Sequence, residues 1–368
     1  MSSTNTSTPL AEVQAPPVRR NVWVWLRTQL FSSPLNSLLT ILSVWLLLSI
    51  VPAFVEWALI KANFLAGTAQ ECRASGGACW AFIYEKHRLI LFGLYPFEEQ
   101  WRPLLATCIL LASIVLSGWR KFWNFFLLAG LWTASLIAVA ILMWGGVFGL
   151  KPVENSLWGG LPLTLILSTF GIAFAFPLGV LLALGRRSKM PAIKAICVIY
   201  IELIRGVPLI SLLFMSAVML PLFLPEGMNI DKLLRAQIAI ILFAAAYIAE
   251  TVRGGLQAIP KGQLEGAESL GLNYWQQMRL IVLPQALKVV IPPLVGIFIA
   301  MFKDTSLVVV IGIYDLTQAA KAALVDQAWR GFSAELYIFI AILYFVFCYS
   351  MSKYSQSLEK RLATGYKR

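Results

Sequence analysis

The sequence predicts an all-α integral membrane protein with eight transmembrane helices, on three observations. Hydrophobic residues make up 59% and charged residues 13% of 368 positions, where a soluble domain carries about 25% charged residues. The apolar residues gather in runs near the ~20 residues that cross a bilayer. Lys and Arg sit between the runs, mostly on one side.

The runs fall at about 35–55, 103–119, 124–147, 161–184, 207–224, 236–252, 289–312 and 334–352. An even number returns both termini to one side. That side (1–34, 120–123, 185–195, 253–288, 353–368) holds 18 Lys/Arg and the other 10, with Arg205 and Lys303 set aside. The bias predicts cytoplasmic termini. Residues 1–18 are polar and Pro/Ser/Thr-rich, without a short apolar core or cleavage site, and read as tail rather than signal peptide.

Residues 1–34 read as a cytoplasmic tail. Within them Val22-Trp23-Val24-Trp25-Leu26, flanked by Arg19, Arg20 and Arg27, reads as an interfacial helix or as the basic flank of the first span. Residues 35–150 hold three spans and a loop at 56–102. The composition shifts at 151–160, the expected domain boundary; a five-span domain at 159–355 and a tail at 356–368 follow. Residues 192–224 are too long for one straight span at ~1.5 Å per residue. Gly206 and Pro208 interrupt them, so 192–205 should run along the interface and the span begin near Val207.

The net charge of +12 is spent on span flanks; no basic patch is interleaved with exposed aromatics, so nucleic acid is not an expected partner. Membrane lipid is. Cys108, Cys197 and Cys348 lie in apolar runs and read as small buried residues. Cys72 and Cys79 share the 56–102 loop on the oxidising side, where a disulfide between them is expected. His87, the only histidine, reads as a solvated side chain there.

Between spans six and seven, residues 265–284 read E-G-A-E-S-L-G-L-N-Y-W-Q-Q-M-R-L-I-V-L-P. Pro260 and Gly262 end the preceding helix. Gln263–Leu270 then forms about two turns, with Glu265 in the first turn and Gly271 as a left-handed C′ residue. Asn273 caps a second helix. Trp275, Met278 and Ile281-Val282 share its apolar stripe, and Pro284 ends it. Gly266 and Ala267 are small enough for another surface to approach the backbone.

The spacing of Glu265, Ala267, Gly271, Ile281, Leu283 and Pro284 resembles the "EAA" loop of the membrane subunits of ABC importers, with Gly266 replacing that pattern's first Ala. Tyr200-Ile201-Glu202-Leu203-Ile204-Arg205-Gly206-Val207-Pro208-Leu209, Ala246-Tyr247-Ile248-Ala249-Glu250-Thr251-Val252-Arg253-Gly254-Gly255 and Lys303-Asp304-Thr305-Ser306-Leu307 resemble segments of the polar amino-acid permeases. The layout resembles the long-type permeases of general L-amino-acid transporters.

The resemblance implies that the last five spans form a type I importer transmembrane domain. It implies a 260–285 loop that couples to two separate ATPase subunits, a permease pair made of two copies or of two related chains, and a periplasmic amino-acid-binding protein; the three extra spans point to a related but different partner chain. No Gly-x-x-x-x-Gly-Lys-[Ser/Thr] motif exists here, so ATP and Mg belong on the partner ATPase, with no cofactor, metal or catalytic residue on this chain. Lys303 and Asp304, read near the middle of span seven, should face protein or a watery path. With Thr305 and Ser306 they are the candidate translocation path. Pro292-Pro293 should bend that span. Glu202, Arg205, Glu250 and Arg253 read as ion pairs near the cytoplasmic face. An ion-gradient-driven carrier would explain eight spans but not the loop. An intramembrane enzyme lacks paired carboxylates or a histidine in any span.

Overall fold

The computed structural model describes residues 22–65, 67–225, 227–228 and 230–363; Arg19 and Arg20 of the proposed interfacial flank lie outside them. The chain divides into two compact units: residues 1–62 with 74–78, and residues 63–73 with 79–368.

In the first unit, α1 (Pro34–Val55) starts at Ser33, whose Oγ accepts the Asn36 N–H at 3.2 Å, with Pro34 in its first turn, a pairing suited to a helix N-terminus. The helix passes Pro52 into a π-turn at Glu56–Ile60, giving a 27-residue apolar rod. Upstream, Val22–Trp25 is helical and enters a π-turn at Leu26–Leu30. The Thr40 hydroxyl donates to the Leu30 carbonyl at 2.9 Å and ties this piece to α1.

The second unit holds α2 (Trp80–Phe92), α3 (Trp101–Ser117), α4 (Phe125–Trp144), α5 (Gly160–Arg186), α6 (Pro191–Gly206), α7 (Leu209–Phe214), α8 (Lys232–Gln257), α9 (Lys261–Ser269), α10 (Leu283–Asp304), α11 (Leu316–Ala323) and α12 (Ser333–Ala363). The composition shift at 151–160 falls inside this unit, because α2 and α3 pack with α5 and α4 packs on α3. Its centre is the α5–α8 pair, joined through small residues. A Cβ on Gly179 would lie 2.6 Å from Ile248 Cγ2, and one on Gly255 would lie 2.5 Å from Val290 on α10. Close backbone approach of this kind is how apolar helices gain packing energy without a hydrophobic drive between them.

Among the described residues, seven helices are long and apolar enough to cross a membrane, or eight if one bent pair is a single span. The bent pair is Pro191–Gly206 with Leu209–Phe223, turning by 103° at Gly206–Pro208. The expected break is therefore where Pro208 removes a donor and crowds the preceding turn.

The span expected at 289–312 is longer. A single 38-residue rod runs from Tyr274 to Ile311, through Pro284, Pro292 and Pro293. Pro284 does not end a helix. A π-turn at Met278–Val282 precedes it, and the widened turn accommodates a ring that would otherwise meet the carbonyl four residues back. The same device recurs at Pro221. There the π-turn is Met215–Met219, and the Ala217 carbonyl that Pro221 cannot satisfy accepts from buried Arg235.

The segment expected as the loop 56–102 is largely helical. Ala69–Ser75 and α2 pack with α11 and the start of α12 over Phe82, Trp329, Phe332 and Leu336. Cys72 and Cys79 are joined by a disulfide. The Cys79 N–H donates to buried Glu335 at 2.9 Å. Arg73 donates to the Arg330 carbonyl, and Lys86 pairs with Asp326 at 2.6 Å. His87 is half-buried on α2 rather than a free loop side chain. The end of α2 and the start of α5 pass in backbone contact: Gly160 has φ +66°, and a Cβ there would fall 2.1 Å from the Leu91 carbonyl oxygen.

Candidate functional site: the hairpin and the ion cluster above it

The α8 helix ends at Gln257, and Pro260 precedes α9 as its N-cap. The C-terminus of α9 closes as expected. Gly271 has φ +69°, its N–H bonds the Glu268 carbonyl at 2.9 Å, and the Leu272 N–H reaches the Ala267 carbonyl at 3.2 Å, a Schellman motif. Asn273 and Gln276 then form a reciprocal capping box, with bonds of 3.0 and 2.9 Å. Gln277 holds the turn through the Leu272 carbonyl at 2.7 Å.

The faces differ from the sequence reading at three places. The helix begins at Lys261, two residues early, so Glu265 lies beyond its first turn. Ala267 is buried within the chain; of the two small residues, only Gly266 is open, with nothing near a Cβ placed there. Trp275 does not share a stripe with Met278 and Val282: those two are buried while Trp275 is 68% exposed. The π-turn that starts at Met278 resets the helical phase, and a sequence periodicity of 3.6 carries no sign of it. The open face of the hairpin thus carries Glu265, Gly266, Leu270, Gly271, Tyr274 and Trp275. Ile281 and Leu283 are half-buried and Pro284 is exposed.

Within one to two turns of the α8 C-terminus lies the ion cluster. Arg253 grips Glu250 through two nitrogens, with Nε to Oε2 at 2.9 Å. Arg186 at the end of α5 bridges Glu202 at 2.8 Å and Glu250 at 3.4 Å. Arg205 at the end of α6 approaches Glu250 at 3.8 Å. The four residues singled out in the sequence meet in space. Arg186 was missed: it belongs to none of the quoted motifs and reads only as a span-flanking base.

Lys303 and Asp304 are not at the middle of a helix. They end α10, where the backbone tightens into a 3₁₀ segment at Thr305–Ile311. The rod starts 15 residues earlier than expected, which moves them towards its far end. Lys303 is exposed, Asp304 and Ser306 half-buried, and Thr305 buried with its hydroxyl on the Phe302 carbonyl at 2.8 Å. Neighbours on a helix diverge by ~100°, which agrees with the different exposure of Lys303 and Asp304. Among the described residues, no group of three or more His, Cys, Asp or Glu could hold a metal ion.

Residues 175–364 match the family described as binding-protein-dependent transport system inner membrane component. The chain belongs to this family. It is 53% identical over 343 residues, 93% of each chain, to the inner membrane amino-acid ABC transporter permease protein YhdY of Escherichia coli (strain K12). It is 37% identical to the glutamate/glutamine/aspartate/asparagine transport system permease protein BztC of Rhodobacter capsulatus, over 97% of this chain and 98% of that one. A crystal structure described as an amino acid ABC transporter with histidines aligns at 38% identity over 55% of this chain and 92% of its own, with a TM-score of 0.49. Membership makes this chain a multi-pass inner-membrane permease subunit. The long relatives span its first helices as well as the family region.

Proposed function

We propose that this chain is the permease subunit of an ATP-driven importer of L-amino acids, and that α9 with the turn to Asn273 is its docking point for a separate ATPase. The observation that carries the reading is the open face of the hairpin. Leu270 and Trp275, 76% and 68% exposed, stand beside Gly266 and Gly271 at the end of a rigidly capped turn. Exposed apolar groups rimmed by polar ones mark interaction surfaces. The family match and the amino-acid permeases among the relatives support the transport role.

In this reading two ATPase subunits sit below the membrane and hold ATP and Mg; the chain itself binds no cofactor. A second, related but different permease completes the path. A periplasmic binding protein delivers the amino acid, and both termini are cytoplasmic. Lys303, Asp304, Thr305 and Ser306 lie where α10 changes pitch and are the candidate path residues. ATP binding favours one of two permease states by differential contact. Nothing favours a gradient-driven carrier.

The test is purification of the chain from its native membrane in mild detergent beside a Gly271→Trp variant. Wild type should carry ATPase activity and the variant should lose it while the permease remains monodisperse. Wild type without ATPase, under conditions that preserve other complexes, would sink the reading.

A further inference from the structure

We infer that Glu250 is a positioning residue: it clamps the end of α6, and with it the Gly206–Pro208 break, onto α8, so that the broken arm α6–α7 follows α8 as one body. As a route for ATPase-driven motion the inference rests on the importer reading; as a clamp it does not.

Three guanidiniums from three helices converge on this one carboxylate. Arg253 is its neighbour one turn along α8, Arg186 comes from α5 and Arg205 from α6. A second carboxylate, Glu202, pairs with Arg186 and is 53% exposed, whereas Glu250 is 25% exposed. Three positive groups therefore face two negative ones, and the more buried negative one is shared by all three. Removing its charge leaves three arginines turned towards one another with a single, half-solvated counter-charge. The resulting repulsion acts across helix boundaries, because each arginine is on a different element.

Arg205 decides what this does to the fold. It precedes Gly206, and its guanidinium lies 5.6 Å from the Tyr247 ring centre, one turn before Glu250 on α8. Its Nε is buried with no partner, so the side chain is held by that ring and by Glu250. Beyond it the backbone breaks by 103°, and Pro208 leaves no helical hydrogen bond to carry stiffness across. The arm α6 is otherwise secured by the Glu202–Arg186 pair to α5 at 2.8 Å, by the Tyr200 hydroxyl on the Leu242 carbonyl at 2.7 Å and by Cys197. The Cys197 sulfur sits 2.5 Å from where a Cβ would stand on Gly185. On the other side of Glu250, α8 leads through Pro260 into the hairpin. The clamp thus lies between the hairpin and a proline-broken span.

Cys197 is a native reporter of this arrangement. The full chain, co-purified with whatever it carries and placed in lipid nanodiscs, is labelled with a maleimide. Labelling is then located by peptide mass mapping, so that Cys108 and Cys348 are read separately. Glu250→Gln should raise the Cys197 labelling rate about tenfold, within the range one residue contributes to coupling. Glu250→Asp should restore much of it. Arg205→Met, which breaks the α6 contact without leaving three arginines short of a counter-charge, should raise it in the same direction but by less, and the double variant should be no faster than Glu250→Gln alone. In sealed proteoliposomes made from the same preparations, amino-acid uptake per ATP hydrolysed should fall for Glu250→Gln while the co-purifying ATPase stays bound. Unchanged Cys197 labelling in Glu250→Gln and Arg205→Met would overturn the clamp, as would effects that simply add in the double variant. If Glu250→Gln does not yield monodisperse protein, Arg205→Met alone decides by the same criterion. Faster labelling in a chain whose wild type carries no ATPase would support the clamp and overturn the importer reading instead.

Discussion

The cap formed by α2, α11 and the start of α12 and the hairpin around α9 are built on opposite plans. The cap closes on itself: a disulfide, a buried carboxylate on a backbone N–H and a glycine crossing surround an aromatic cluster in which Phe82, Trp329, Phe332 and Leu336 are covered. The hairpin is equally well specified in backbone, with a Schellman turn and a capping box, yet it presents Leu270 and Trp275 outward. Local order without burial is the mark of a surface that another molecule completes. Local order with burial is a scaffold.

The comparison breaks most severely at Gly160. Valine there must adopt φ +66° and meet the Leu91 carbonyl. Gly160→Val should cost more than about 3 kcal/mol, the upper range for backbone strain joined to overpacking. The expected outcome is loss of a folded, monodisperse chain on size exclusion; normal yield would show that the crossing is not tight. Next comes the disulfide. Cys72→Ser with Cys79→Ser should destabilise the cap by about 2–3 kcal/mol by loop entropy, seen as a lower Tm in detergent and as early proteolysis within residues 69–100. The hairpin should be untouched by the same change.

Glu335→Ala leaves the Cys79 N–H buried and unpaired, at a cost of about 1–3 kcal/mol. Glu335→Gln, which keeps an acceptor, should recover most of the Tm. On the hairpin side, Asn273→Ala removes one arm of the capping box and should cost about 1 kcal/mol. Because the hairpin buries little, this loss should appear as faster amide exchange over 261–277 with an unchanged global Tm. A fall in Tm equal to that of Glu335→Ala would erase the distinction between the two regions. The smallest effect concerns Lys86 and Asp326. The Lys86 ammonium, with the Ala328 N–H, holds the exposed Asp326 carboxyl below its ordinary value. A lowered folded value means that the pair contributes above the unfolded carboxylate range of about 4 and is lost as pH falls further. Lys86→Ala should lower stability slightly near neutrality, and the difference from wild type should vanish as pH falls below the carboxylate range.

Much of this was written locally. Run length and Lys/Arg placement determined the spans, because the energy of crossing a bilayer depends on composition over about 20 residues and little on neighbours. Gly206-Val207-Pro208 determined the break, and Gly271 with Asn273 determined the hairpin turn, because these residues act on their own backbone. Tertiary structure alone decided the rest. A proline reads as a stop, but whether a helix ends or passes through a π-turn depends on whether something accepts the freed carbonyl, as Arg235 does from 18 positions away in the chain at Ala217. Ala267 and Gly266 are equally small in sequence, yet packing buried the first and left the second open. Arg186 looked like any base beside a span until α5, α6 and α8 brought three guanidiniums to one carboxylate. A side chain's chemistry is fixed by its own residue, whereas its partner is fixed by which helices the fold sets side by side.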